Sequence, residues 1–334
     1  MIEQVQVVET SSIENIPEAY LADGQPFVIK GLLADWPIVQ ACKQSDEQAV
    51  KALLDYCQEM PVTVGNIEES AKGRLFYNSD MSGFNFERIT TTISQFFQQL
   101  ETGWKDGRST GLYLGSTNVD RLMPGFRESH HFPAIDKHNP LVSIWVSNQC
   151  RIAAHHDVPN NFACCIAGTR RFTLFPPEQV RNLYIGPLDF TPAGQAISLV
   201  DFKDPDLEKF PRFKEALKTA QTVDLMPGDV LFIPSMWWHH VEGLDSLNVL
   251  INYWWQSSPA HAGAPMDALW HALLNIESLP VQEKRAWQAM FEHYIFNDDE
   301  ETLNHIDKDK RGVLSPDDIS ARKIRAYLLN KLNR

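Results

Sequence analysis

Several features that would place this chain in a class at once are missing from it. No stretch approaches the ~20 consecutive apolar residues needed to cross a bilayer. The opening MIEQVQVVET has neither the basic start nor the apolar core of a secretory leader. Positive charge is scarce, with 30 Lys and Arg against 43 Asp and Glu and a net charge of −13. Nucleic-acid affinity rests on neutralising phosphates with Lys and Arg, so this balance weighs against a nucleic-acid partner. The five cysteines (Cys42, Cys57, Cys150, Cys164, Cys165) are odd in number and lack metal or disulfide spacing. They read as reduced, buried thiols, and the expectation is a cytoplasmic protein. There is no internal repeat and no low-complexity linker. The 334 residues suffice for one large domain or a domain with an appendage.

What is present falls into three stretches. Residues 1–110 read as a mixed α/β part packed on a β-rich core. Pro26–Gly31 looks like a strand, Ser45-x-x-Gln48 opens a helix running to about Met60, and a second helix is expected from Thr91 to Leu100. Residues 111–258 are that β-rich core. GLYLG, PLVSIWV, NFACCIAG, RRFTLFPP, GDVLFIP and SLNVLINYWW are separated by Gly, Pro and Asn, which argues for a sandwich or barrel. Asp206 to Gln221 reads as a helical insertion. Residues 259–334 are helical. Leu269, Trp270, Leu273 and Leu274, then Trp287, Met290, Phe291 and Tyr294, recur at helical spacing. Ser315-Pro316-Asp317-Asp318 marks a last helix start. Asp307–Gly312 has the outline of a calcium loop but lacks its ligand pattern, and reads as a turn.

Chemistry concentrates at Ala154-His155-His156-Asp157, taken as the start of a strand. Residues i and i+2 of a strand face one side, so His155 and Asp157 project together and His156 points away. Some eighty residues later comes GDVLFIP and then Trp237-Trp238-His239-His240-Val241-Glu242. Parity puts His239 with Trp237 and Val241, and His240 with Glu242 toward solvent. Two histidines and a carboxylate with open positions make the facial triad of non-haem Fe(II) oxygenases. An isolated His-x-Asp occurs by chance, so the distal histidine carries much of the weight. The rival pair His130-His131 sits in a polar, Pro-flanked segment and reads as a loop feature. In Arg170-Arg171-Phe172-Thr173-Leu174, Arg170 shares the inward face with Phe172 and Leu174. A buried guanidinium needs an anion, from the protein or from a ligand. Asn252 similarly lies between Leu250 and Trp254 on one face and wants a partner. Asn161 falls near the far end of the first site strand.

The runs HHDVPNNFACCIAGTRRFTLFPPEQ, GDVLFIPSMWWHHVEGL and NVLINYWW resemble the cupin-like JmjC family of Fe(II)/2-oxoglutarate-dependent oxygenases. Within it they are similar to the asparaginyl hydroxylase that modifies hypoxia-inducible factor. The resemblance covers residues 110–256, with a weaker similarity around the DWP of the N-terminal part. It implies a mainly β fold with helical flanks, a double-stranded β-helix (jelly roll) core plus C-terminal helices. It implies iron held by His155, Asp157 and His239, and 2-oxoglutarate as co-substrate with its C5 carboxylate on Arg170. Relatives usually carry Lys at that position. Tyr113, Asn161 and Asn252 fall where the family places co-substrate or metal-shell contacts, and Trp254 beside them. Where relatives often have a small hydroxyl residue, three positions before the first ligand, this chain has Ile152. The activity implied is hydroxylation of a protein side chain or another C–H substrate, with no membrane partner and a homodimer through the C-terminal helices. Two other readings stay open: a metal cupin that does not use 2-oxoglutarate, and a non-catalytic JmjC-type binding module associated with transcription.

Overall fold

A computed structural model describes residues 2–10, 14, 16–106, 111–259, 261–297, 299–315 and 317–333. The chain divides into two compact units, Met1–Ser257 and Ser258–Arg334. The first is mainly β. Its strands are β1 (Glu3–Gln4), β2 (Gln6–Val7), β3 (Phe27–Ile29), β4 (Pro61–Ile67), β5 (Arg74–Leu75), β6 (Phe86–Thr92), β7 (Leu112–Asn118) and β8 (Leu141–Ser147). Then come β9 (Arg151–His156), β10 (Asn160–Ala167), β11 (Arg170–Phe175), β12 (Gln221–Leu225), β13 (Val230–Ile233), β14 (Trp238–Gly243) and β15 (Asn248–Trp255). They form a six-stranded sheet, β1-β12-β11-β14-β9-β5, and a nine-stranded sheet, β2-β3-β13-β10-β15-β8-β7-β4-β6. The cupin fold with C-terminal helices is thus the one observed.

The centre of the larger sheet, β10 with β13 and β15 beside it, is buried on both faces, and the β10 sequence shows why. In Phe162-Ala163-Cys164-Cys165-Ile166, Ala163 and Cys165 join Phe172, Leu174, Leu231, Val241 and Leu250 in one cluster. Phe162, Cys164 and Ile166 join a second cluster with Val39, Leu53 and Phe96, which come from the helices Pro37–Cys42, Asp46–Tyr56 and Ile93–Lys105. Strands covered on both sides lose the polar alternation of a solvent-facing sheet. Between β10 and β11 the chain changes sheets at Gly168, whose φ is +69°. A Cβ there would meet the Leu247 carbonyl at 2.1 Å, so only glycine serves at this corner.

Several element boundaries differ from the sequence reading. Ser45 does cap its helix, its Oγ accepting the Gln48 amide, but the helix ends at Tyr56 rather than Met60. Pro61 follows Met60 and disfavours helical backbone there. The second helix is Ile93–Lys105, opened by a reciprocal capping box between Thr92 and Gln95. Between Asp206 and Gln221 only Phe213–Ala216 is helical, and Gln221 already opens β12. There Phe210 and Phe213, with Phe202 just before the stretch, belong to a cluster with Phe175 and Trp238, covering the outer side of the smaller sheet. Burial of aromatics, rather than a regular amphipathic period, shapes this stretch.

The second unit holds the helices Pro265–Ile276, Val281–Phe291 and Asp318–Leu332. The last is capped by Asp317 with Ser320 returning the bond, so Ser315 lies outside it, and Pro316 is not among the described residues. Neither of the first two helices has a buried residue, and Leu269, Trp270, Trp287 and Met290 are exposed. Among the described residues, no helix is long and apolar enough to cross a membrane.

Candidate functional site

His155 and Asp157 do not open a strand, as the sequence suggested; they close one. β9 ends at His156, and Asp157 begins the turn into β10. Opposite them, β14 pairs His239 with His155 and Val241 with Ile152. Two steps on one strand match three on the other, so β9 carries a bulge at Ala153–Ala154. Alternation restarts after it, and Ile152, His155 and Asp157 all line the same cavity.

The ligating atoms of His155, Asp157 and His239 lie within 4.8 Å of one another. His239 Nε2 is 3.6 Å from Asp157 Oδ2, and the two imidazole rings are 4.3 Å apart. Both rings are oriented by their own strands. His155 Nδ1 donates to the Ala153 carbonyl at 2.9 Å, and His239 Nδ1 to the Trp237 carbonyl at 3.0 Å. A carbonyl can only accept, so each proton sits on Nδ1 and each Nε2 keeps its lone pair for a ligand. Burial, aided by neighbouring His155, pushes the His239 pKa down to about 4, which keeps the ring neutral at pH 7. Asp157 is fixed through its backbone, its carbonyl accepting the Met236 amide at 2.8 Å. Met236 sits at φ +67°, a left-handed conformation that side chains rarely adopt and that clusters at functional sites.

All eight residues singled out in the sequence, Tyr113, His155, Asp157, Asn161, Arg170, His239, Asn252 and Trp254, line this one cavity. It is narrow, with about 50 Å³ open to water-sized molecules. Asn161 belongs to the start of β10 rather than to the His155 strand. Arg170 is 4% exposed and Arg171 points outward, in a two-pronged pair with Asp224 at 2.7 and 2.8 Å. Arg170 Nη2 donates to the Asn248 carbonyl at 3.3 Å, while its Nε has no partner. Burial weighs on its charge and lowers its pKa, although an arginine keeps its proton in proteins. The same burial raises the Tyr113 phenol, against the pull of Arg170. Asn161 Oδ1 and Trp254 Nε1 are likewise buried without partners. Buried polar atoms in folded proteins are nearly always paired, so these orphans, two N–H donors and one amide oxygen, suit a polar ligand, and the Arg170 charge suits an anionic group on it.

Trp145 lines the cavity but escaped the sequence reading. Trp145 donates through Nε1 to Asn252 Oδ1 at 3.0 Å, which supplies the partner Asn252 needed. Its signal was the alternation Ser143-x-Trp145-x-Ser147, small polar residues on the cavity side of an otherwise aliphatic strand. Ile152 was placed by resemblance, and only the bulge explains how it reaches the cavity.

Among the histidines not assigned to the metal, His240 departs from expectation. His240 is not toward solvent: it is 3% exposed, its ring tilted against Phe202 at 4.6 Å, with neither ring nitrogen hydrogen-bonded. Burial, with Arg151 and Arg74 close by, pushes its pKa down to about 3. The outer side of the smaller sheet is covered by chain that parity alone could not anticipate. His156 packs edge-on against Trp238 at 4.6 Å, and burial lowers its pKa as well. His130 is fully buried, accepting the Ile38 amide at 3.1 Å and stacked on Phe126, whereas His131 pairs with Asp136 at the surface.

Residues 13–261, well over half of the chain, match the cupin-like domain family. The chain belongs to that family. This cupin-like JmjC group comprises iron- and 2-oxoglutarate-dependent oxygenases. Among curated proteins, the chain is 34% identical to HSPB1-associated protein 1 of Bos taurus over 286 residues, 81% of the chain and 56% of that protein. It is 33% identical to lysine-specific demethylase JMJ31 of Arabidopsis thaliana, over 61% of the chain and 42% of that protein. To lysine-specific demethylase 8 of Xenopus tropicalis it is 25% identical, over 73% and 51%. The chain spans about half the length of the curated relatives it matches.

Proposed function

We propose that this cupin-like protein is an Fe(II)- and 2-oxoglutarate-dependent hydroxylase acting on a protein side chain. One observation carries the reading: two imidazoles with free Nε2 lone pairs and a carboxylate converge beside a buried arginine whose Nε lacks a partner. His155, Asp157 and His239 would hold the metal, a donor set that suits non-haem iron. Arg170 would take the C5 carboxylate of 2-oxoglutarate, with Tyr113 beside it, and Asn161, Asn252 and Trp254 would complete the polar lining. When bound, iron with 2-oxoglutarate and O2 supplies the oxidant, giving succinate, CO2 and one oxygen atom inserted into a substrate C–H bond. The chain's own part is to bind and orient. Arg170 fixes the co-substrate's far end, Trp145 holds the Asn252 amide, and Phe172, Val241 and Leu250 keep bulk water out of the cavity.

A protein substrate is favoured because the relatives are named as lysine demethylases or for association with another protein. Hydroxylation outranks demethylation on the likeness to the asparaginyl hydroxylase. Mass spectrometry of a lysate treated with the protein, Fe(II) and 2-oxoglutarate tests this. A gain of one oxygen on a side chain supports it, and loss of methyl from lysine transfers the reading to demethylation. Ile152 favours a second reading, a metal cupin without 2-oxoglutarate, because it sets an aliphatic group where relatives often offer a hydroxyl. Failure to bind 2-oxoglutarate would favour that reading. We also propose a homodimer through the helices Pro265–Ile276 and Val281–Phe291, whose Leu269, Leu273 and Trp287 lie open at the surface.

A further inference from the structure

Midway along β9, one of its two strand neighbours ends. On one side β14 accompanies it; on the other, β5 pairs only with Arg151 and Ile152. The vacated edge is taken by chain from the stretch between β11 and β12. Ser198 donates its amide to the Ala154 carbonyl at 2.7 Å, at the bulge itself. Ser198 is fully buried, its Oγ donating to the Leu183 carbonyl and accepting the Val200 amide. Next to it, Ile197 packs with Tyr77 against Ala153, the other bulge residue and the one whose carbonyl orients His155. Asp201 closes the stretch onto β9, with Arg151 at 2.6 Å and Arg74 at 3.6 Å.

A bulge forfeits ladder hydrogen bonds and persists only where its surroundings hold it. A strand that slipped back into regular pairing would turn His155 to the opposite face, since side chains alternate with every residue. We infer that residues 183–201 are a positioning device for His155: they hold the β9 bulge and thereby set the metal affinity of the site. This rests on the metal reading above. Among the described residues, none of 183–201 lines the cavity, so any effect on the metal must pass through β9.

The test uses the full-length metal-free protein titrated with Co(II), read by visible absorption, alongside its thermal unfolding. Ile197→Ala should weaken Co(II) about 10-fold or more, the range seen when groups that orient metal ligands are removed. Ile197→Val should restore most of the affinity. Asp201→Asn, which leaves the packing intact, should weaken it several-fold and serves where Ile197→Ala does not fold. Leu53→Ala, a buried truncation in the helix-packed cluster, controls for general destabilisation and should leave Co(II) affinity unchanged. Wild-type Co(II) affinity in both test variants would overturn the inference alone, as would an equal loss in Leu53→Ala. A wild-type protein that binds no Co(II) would remove the metal reading and this inference with it.

Discussion

Replacing Arg170 with alanine should leave metal binding intact and nearly abolish 2-oxoglutarate binding. The side chain is 4% exposed, one guanidinium nitrogen is unpartnered, and its hydrogen bond to the Asn248 carbonyl is a long one. A carboxylate arriving there would form a desolvated, charge-assisted pair, and removing one partner of such a pair costs about 3–5 kcal/mol. That is roughly two to four orders of magnitude in Kd. Arg170→Lys should recover part of this, because lysine restores the charge without the planar fork. Arg171→Ala is the internal control. Its pair with Asp224 is half exposed, and such pairs contribute about 0–1 kcal/mol, so co-substrate affinity should not move. Anaerobic calorimetric titration of the metal-loaded variants with 2-oxoglutarate reads all three, with metal content measured on the same samples. Unchanged affinity in Arg170→Ala would refute the reasoning and promote the cupin that needs no 2-oxoglutarate.

Iron retention should be lost in His155→Ala and in His239→Ala but largely kept in His156→Ala and His240→Ala; equal metal content in all four, by elemental mass spectrometry, would sink the assignment. The metal-free protein should lose stability as pH falls below about 6.5. His239 and His240 have folded pKa values depressed to about 4 and about 3, so the unfolded chain binds the extra protons. Each tenfold difference in proton affinity between the folded and unfolded chain is worth about 1.4 kcal/mol, which makes the loss several kcal/mol by pH 4. A urea midpoint that stays flat between pH 7 and pH 5 would contradict this. Light scattering at micromolar concentration should report a dimer, and a 38 kDa particle would refute it.

Much of the site was legible because alternation is a local rule. It sorted Arg170 from Arg171 and grouped Leu250, Asn252 and Trp254, all of which the pairing of β11 and β15 respects. It also grouped His155 with Asp157, since both lie after the bulge. It could not place Ile152, because a bulge shifts parity without any sequence mark as plain as a glycine. Nor could it place His240 indoors, because its cover comes from Phe202, which lies beyond a different strand. The stretch from Asp206 to Gln221 misled for a related reason. Its apolar residues satisfy a cluster around Phe175 and Trp238, and their spacing answers to that surface rather than to a helical turn.

The carbonyls of Ala153 and Trp237 that hold the two imidazoles belong to the main chain, so the rings are aimed before any ion arrives. Donors aimed in advance do not by themselves select the ion. On the metal reading, such a nitrogen and oxygen set binds nickel, copper and zinc more tightly than ferrous iron. Which ion resides there then becomes a question of supply and exchange. A preparation inert as isolated could be mismetallated rather than misfolded, and stripping the metal followed by anaerobic Fe(II) loading would tell the two apart.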